Sequence, residues 1–354
     1  MIRKGTLAMK KQKDARTRME KRQTTKKSKK IYFILAPFII LLLVGGGFLI
    51  NFYTTADEVI SNAYEDDGRE KSNLRETRVN PKEDNISILI IGVDESEHRA
   101  NDGYSRSDTL ILATLNKKDK SVKLVSIPRD SYVYIPEVGY NDKINHAHAF
   151  GGPKATIETV EQLLDVPVDY YVKLNFHAFT EVVDVIGGIT AEVPYELWES
   201  DSNDKKNAIH LLPGEQLLNG EQALALARTR KYDSDIERGK RQMEIVKATI
   251  KKSLQANNIL KLDNVIEAVG SNMTTNMSFS DMKSLVSYVT SGGNLDFETM
   301  TLAGESYMPA SIWYWKLDEL ALEETKETLK EHLEVKTTLT DSSTHSLDTA
   351  SGVE

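Results

Sequence analysis

Three short stretches of this 354-residue sequence carry arginines at spacings that could gather them around one anion. Arg129, in SIPRD, leaves an apolar run beside Pro128, whose ring fixes the backbone there. Arg228 and Arg230, in ALARTR, stand two apart just after a helical pattern runs out. Arg238 and Gln242, in DIERGKRQ, share a helix face through the i, i+4 relation, with Arg241 between them. A guanidinium grips phosphate oxygens as a fork, and a water-poor cleft strengthens the attraction. Several such groups suit a pyrophosphate ester, because they bind it and also stabilise charge growing on the leaving phosphate. The competing reading pairs each arginine with a surface acid such as Asp130, Asp233, Asp235 or Glu237. The gathering of so many arginines in a net-acidic region weighs against that reading.

Two acids stand where strands should end. Asp94 closes IIGVD, and Asp108 sits in SRSDT just before the next apolar run. Carboxylates at the ends of adjacent strands can meet over one end of a sheet, where open α/β proteins bind ligands. Oxygen-only ligation suits Mg2+ or Mn2+, which take one or two carboxylates plus phosphate oxygens. Turn-capping aspartates would look the same in sequence. His146 and His148, in INHAHAFGG, lie two apart in what reads as a loop and form no metal spacing. No Gly-x-Ser-x-Gly elbow, Walker loop or Gly-x-Gly-x-x-Gly fingerprint occurs. The absence of cysteine excludes disulfides and thiol catalysis.

The elements that must hold these residues read as alternating strands and helices. ISILIIGVD (from Ile86) is a short, β-branched, apolar run of the kind a buried central strand shows. TLILATLN (109–116) and SVKLVSIP (121–128) read as a hairpin around Lys117–Lys120. Pro153 opens a helical pattern, DYYVKLNF (169–176) and ITAEVP (189–194) read as strands, and a helix is expected between them from Phe179 to Ile186. Helical patterns follow at Gly220–Leu226, Asp235–Leu254, Leu260–Val269 and from Ser280; a last strand at Glu298–Leu302 precedes a helix from Leu317 to about His332. The expected fold is α/β, a central mixed β-sheet flanked by helices, spanning 85–335. Residues 54–84 read as a polar stalk and 336–354 as a disordered Ser/Thr/Asp-rich tail.

Charge and hydropathy place this domain. Residues 1–30 carry 13 Lys/Arg against Asp14 and Glu20, a net of +11; with −8 for the whole chain, the remainder carries −19. Next, Ile31–Ile50 offers twenty residues without a charge, enough to span a bilayer. The positive flank predicts a single uncleaved transmembrane helix over 31–53, with the tail cytoplasmic and the rest outside, a type II topology in the cell membrane. An acidic domain on the far side of a membrane argues against a nucleic-acid partner.

The order IIGVD, RSDT, SIPRDSYVYIP, KINHAHAFGGP, VDYYVKLNF, VVDVIGGI, LNGEQALALARTR and DIERGKRQ resembles the LytR-CpsA-Psr family across about residues 86–255. Within that family it is similar to the polyisoprenyl-teichoic acid–peptidoglycan teichoic acid transferases of Gram-positive bacteria. The resemblance implies a transferase that moves an anionic glycopolymer from an undecaprenyl-pyrophosphate-type carrier to the C6 hydroxyl of N-acetylmuramic acid in peptidoglycan, leaving a phosphodiester. It implies that Asp94 and Asp108 hold Mg2+ or Mn2+, and that Arg106, Arg129, Arg228, Arg230, Arg238 and Gln242 grip the two phosphates. Arg129, Arg228, Arg238 and Asp108 are the catalytic set by the same implication. The spacing around Arg99 departs from the family pattern, which puts Arg99 in doubt as a contact. The alternatives are a non-catalytic polyprenyl-phosphate-binding scaffold for wall assembly and a membrane-bound regulator of wall gene expression.

Overall fold

Six aliphatic residues in a run of eight, with one face buried and the other partly so, make β1 (Ile86–Val93) the natural middle of a sheet. It pairs antiparallel with β2 (Ser107–Asn116), which turns through 117–120 into β3 (Ser121–Ser126), so the expected hairpin forms with Asn116 opposite Ser121. The structure, a computed structural model, describes residues 57–93, 105–203, 205–230, 234–255, 270–290 and 295–335. The expected span at 31–53, Asp94, Arg99, the helix expected over Leu260–Val269 and the tail 336–354 lie outside these residues. Among the described residues, no helix is long and apolar enough to cross a membrane.

After β3 comes a hairpin that the sequence pattern did not disclose, β4 (Tyr132–Ile135) with β5 (Tyr140–Lys143). Helix α1 (Asn145–Leu164) follows, then β6 (Tyr170–Asn175) and α2 (Phe176–Val185). A small lobe holds β7 (Ile189–Val193), β8 (Leu197–Glu199), β9 (Ile209–Leu211) and β10 (Gly214–Leu218). The chain continues through α3 (Gly220–Arg228), α4 (Asp235–Ser253), β11 (Met273–Thr275), α5 (Phe279–Thr290) and β12 (Asp296–Thr301). It closes with the hairpin β13 (Gly304–Tyr307) and β14 (Tyr314–Leu317) and helix α6 (Glu319–Leu333).

The central sheet has six strands in the order β11-β6-β1-β2-β3-β12, with β1/β6 and β3/β12 parallel and the other pairs antiparallel. This is the mixed α/β sheet expected. On one face Leu89, Ile91, Leu110, Leu112 and Val125 pack against Ile157 and Val160 of α1 and Leu329 of α6. On the other, Ile111, Ala113 and Leu124 meet Met243 of α4. Each such fully buried aliphatic side chain contributes roughly 1.5–3 kcal/mol. Helix starts are set by side-chain caps: Asn175 for α2, Asn219 with Gln222 in a capping box for α3, and Ser234 for α4.

Two segments differ from expectation. Residues 145–150, read as a loop, are helical and lead through non-helical Gly151 and Gly152 (φ 64°) into Pro153. Tertiary contacts hold this turn, with the Asn145 amide donating to the Arg129 carbonyl (3.1 Å) and His148 fully buried. Residues 64–84, read as a stalk, lie on the domain. The Arg69 guanidinium reaches Asp67 (2.9 Å) and Glu161 (3.2 Å), Arg75 reaches Asp169 (2.7 Å), and Ser72 is buried. Helical residues 58–63 also bury Ile60 and Ala63.

Candidate active site

The carboxyl ends of β1, β6 and β3 and the start of β2 lie at one end of the sheet, a consequence of their relative directions. A cavity of about 470 Å3 opens there. Its sheet side includes Gly92 of β1 and Asp108 of β2, and a local irregularity decides where Asp108 points. Gly92 pairs with Thr109 but Val93 pairs with Ser107, so Asp108 is the extra residue of a bulge. Bulges re-aim a side chain out of the ladder, here into the cavity. Gly92 is needed beside it, because a Cβ there would come within 2.9 Å of Thr109 Cβ.

Arg129 enters from the segment after β3, and its Nη1 donates to Asp108 Oδ1 at 2.6 Å. Its Nε lies 3.5 Å from Asp130 Oδ2. Arg228 is the last residue of α3, and its guanidinium stands over the Phe176 ring with 4.6 Å to the centroid. Thr229 is extended (φ −58°, ψ 139°) and buried, which lets Arg228 and Arg230 both line the cavity. Arg238 and Gln242 come from one face of α4. That helix runs very close to the sheet at Gly239, where a Cβ would meet Ser126 Oγ at 2.6 Å.

The end of α3 is fastened to α4 by two side chains. Arg241 donates from Nε to the Leu226 carbonyl (3.2 Å) and from Nη2 to the Thr229 carbonyl (2.7 Å), while Gln242 Nε2 donates to the Ala227 carbonyl (3.2 Å). The last carbonyls of a helix lack intrahelical donors and carry partial negative charge, so a guanidinium there is well placed. Arg241 is therefore a positioning residue that motif reasoning left without a role. Its only sequence signal is its place beside Gln242 on the helix.

Six of the eight residues expected at the site thus line one cavity: Asp108, Arg129, Arg228, Arg230, Arg238 and Gln242. Arg106 is exposed and does not line it; Asp94, the residue after β1, lies outside the described residues. His146 and His148 do not line it either. His146 Nδ1 faces Asp142 Oδ2 (2.7 Å), and His148 Nδ1 faces the Ser105 carbonyl (2.5 Å). The remaining walls are largely apolar, including Leu174, Phe179, Leu224 and Ile245. Four guanidinium groups against the carboxylates of Asp108 and Glu199 leave an excess of positive charge, suited to a doubly charged pyrophosphate diester. Among the described residues no three acids or histidines converge as a metal cage. Asp108 supplies a hard oxygen of the kind Mg2+ or Mn2+ takes, so the donors present would fit such an ion shared with a phosphate ligand.

The LytR-CpsA-Psr family model matches residues 48–331. The chain belongs to the LytR-CpsA-Psr family. It is 41% identical over 268 residues to the polyisoprenyl-teichoic acid–peptidoglycan teichoic acid transferase TagT of Bacillus subtilis, covering 75% of this chain and 82% of that protein. Its fold matches the structure of TagT bound to LI-WTA with a TM-score of 0.65 and 39% identity, over 75% of this chain and 98% of that one. The family member solved with bound octaprenyl pyrophosphate lipid matches at a TM-score of 0.61 and 36% identity, with the same coverage.

Proposed function

We propose that this protein is a membrane-anchored phosphotransferase that attaches an anionic cell-wall glycopolymer, wall teichoic acid, to peptidoglycan. The donor is the polymer on an undecaprenyl-pyrophosphate-type carrier, and the acceptor is the C6 hydroxyl of N-acetylmuramic acid. The observation that supports it best is the meeting of Arg129, Arg228, Arg230, Arg238 and Asp108 around one cavity whose remaining walls are largely apolar. Guanidinium groups suit the pyrophosphate, and the apolar walls suit a prenyl chain. The relatives named as teichoic acid transferases, and the structures bound to LI-WTA and to octaprenyl pyrophosphate, support the same reading.

In this reading the arginines align the pyrophosphate and neutralise charge as the acceptor oxygen forms its bond to the polymer-side phosphorus. The bond from that phosphorus to the bridging oxygen breaks, and polyprenyl phosphate leaves. The acceptor's proton passes to a carboxylate, Asp94 or Asp108. A bound Mg2+ or Mn2+, held by Asp94 and Asp108, supplies further charge neutralisation at the phosphates. In this reading 31–53 is the span and 1–30 lies in the cytoplasm, so the active site works at the outer face of the bilayer, where the donor pyrophosphate must also stand.

The test uses the full chain in lipid nanodiscs with a short-chain polyprenyl-pyrophosphoryl disaccharide, peptidoglycan oligomers and Mg2+. Mass spectrometry reads the phosphodiester-linked product, which should vanish with chelator and with Arg129→Ala. Tight lipid binding without product under any metal or acceptor overturns the transferase in favour of a carrier-binding scaffold. Full transfer by Asp108→Asn with metal still bound rules Asp108 out as the base.

A further inference from the structure

Beside the cavity, at the same end of the sheet, the hairpins β4–β5 and β13–β14 leave the ends of β3 and β12 and lie against one another. Ser131 bridges Trp315, and the Trp315 amide donates to the Asp130 carbonyl at 2.9 Å. Their meeting builds a cluster of rings that the hydrophobic core does not absorb. The Tyr132 ring lies 4.9 Å from Tyr314 and 5.5 Å from Tyr307, and Tyr307 lies 6.4 Å from Tyr314. Lys143 Nζ stands 5.6 Å from the Tyr314 centroid and 5.9 Å from that of Trp313. Tyr307 is 37% exposed, and Tyr134, two residues along the strand from Tyr132, is 48% exposed. The ring edges are polar, each tyrosine carrying a hydroxyl, and burial, helped by the nearby Asp142 charge, holds that of Tyr314 above the usual tyrosine range.

A chain of ion pairs joins this face to the phosphate site. Asp108 holds Arg129 (2.6 Å), Arg129 neighbours Asp130 (3.5 Å), and Asp130 holds Lys143 (2.8 Å), whose ammonium lies over the rings. One end of the chain is in the cavity and the other is in the aromatic cluster. Tyr134 and Tyr307 are open to solvent beside the cavity, so their rings are available to a ligand. Rings with hydroxyl edges, interleaved with a carboxylate and an ammonium, suit a partner with flat C–H faces and many hydroxyl and amide groups. Pyranose rings have that chemistry, whereas a hydrocarbon chain gains nothing from the charges.

We propose that this face, built on Tyr132, Tyr307, Tyr314 and Lys143, docks the acceptor glycan, an N-acetylhexosamine strand, and delivers its hydroxyl to the neighbouring phosphate site. The proposal rests on the transferase reading for the strand's role as acceptor, while the docking itself is measurable without turnover. The full chain in nanodiscs is titrated with a peptide-free tetrasaccharide of alternating N-acetylglucosamine and N-acetylmuramic acid, by calorimetry and by tryptophan fluorescence. Tyr307→Ala and Lys143→Ala are expected to weaken glycan binding about 10-fold each. Octaprenyl pyrophosphate binding should stay unchanged, and in turnover the acceptor KM should rise about 10-fold with kcat little altered. Equal glycan affinity in wild type and both variants, or no glycan binding to the wild type, overturns the proposal, as does a loss of lipid affinity in place of glycan affinity. Glycan binding that weakens as expected in a protein yielding no product under any condition would sink the transferase reading and leave the docking face standing.

Discussion

Where β1 and β6 begin, Arg75 lies 2.7 Å from Asp169, and Asp169 also accepts from the Ser87 amide at 2.9 Å. Arg69 is held between Asp67 and Glu161, and Lys330 reaches Asp165 at 2.7 Å. His332 fits between Thr114 Oγ1 and Ser121 Oγ, both at 2.8 Å. Where the same strands end, four arginines face two carboxylates around a cavity. The far end matches each of these charges with a partner inside the fold, while the cavity end gathers more positive charge than negative. The first arrangement fixes the chain segments that carry it. The second suits an anion that arrives from outside.

If that contrast is right, mutations at the two ends should separate stability from activity. Asp169→Ala leaves a part-buried guanidinium and an amide without their carboxylate acceptor; chemical denaturation should show a loss of about 3 kcal/mol, with transfer per folded molecule unchanged. Also at the far end, burial first and the Lys123 charge second push His332 from 6.5 down to about 4. Its unfolded form takes up a proton below 6.5 that the folded form refuses until about 4. Stability should therefore fall as pH drops through that window, by on the order of 3 kcal/mol, and His332→Gln should flatten the slope. A pH-independent wild type between those values would contradict the fully paired picture.

At the cavity end the expected losses are catalytic. Arg129→Ala should lower transfer on the order of 100-fold. Its denaturation should shift by less than about 1 kcal/mol, because its pair with Asp108 is partly solvated. Arg241→Ala removes the donor that fastens Leu226 and Thr229, and should cost about 10-fold in transfer through misplacement of Arg228 and Arg230. If Arg241→Ala transfers normally while Arg228→Ala does not, the fastening is not needed and the comparison must be redrawn around direct contacts alone.

The sequence disclosed the parts of this arrangement that have their own periodicity. The apolar run at Ile86, the 109–128 hairpin and the long helix from Asp235 each bury a continuous stripe, and each stands where expected. Features that depend on two distant segments were not legible. The bulge that turns Asp108 inward exists only as a mismatch between β1 and β2. The helical turn around His148 is held by the Arg129 carbonyl, and the short β4–β5 and β13–β14 hairpins brace one another. Arg241 had no assigned role in its motif, and its donors face the main-chain carbonyls of a different helix segment.

The fastening of α3 to α4 has a thermodynamic corollary. Because Arg228, Arg230 and Arg238 are carried on two joined helix segments, the gathering of their like charges around one cavity is present before any substrate binds. An anion that neutralises them binds the native chain and not the unfolded one, so occupancy and stability are linked. Inorganic pyrophosphate at ten times its dissociation constant should thus stabilise the native state by about 1.4 kcal/mol relative to the unfolded chain, read as a higher melting temperature. The same linkage makes the donor substrate a stabiliser of its own enzyme, and the protein between turnovers the least stable form in the cycle.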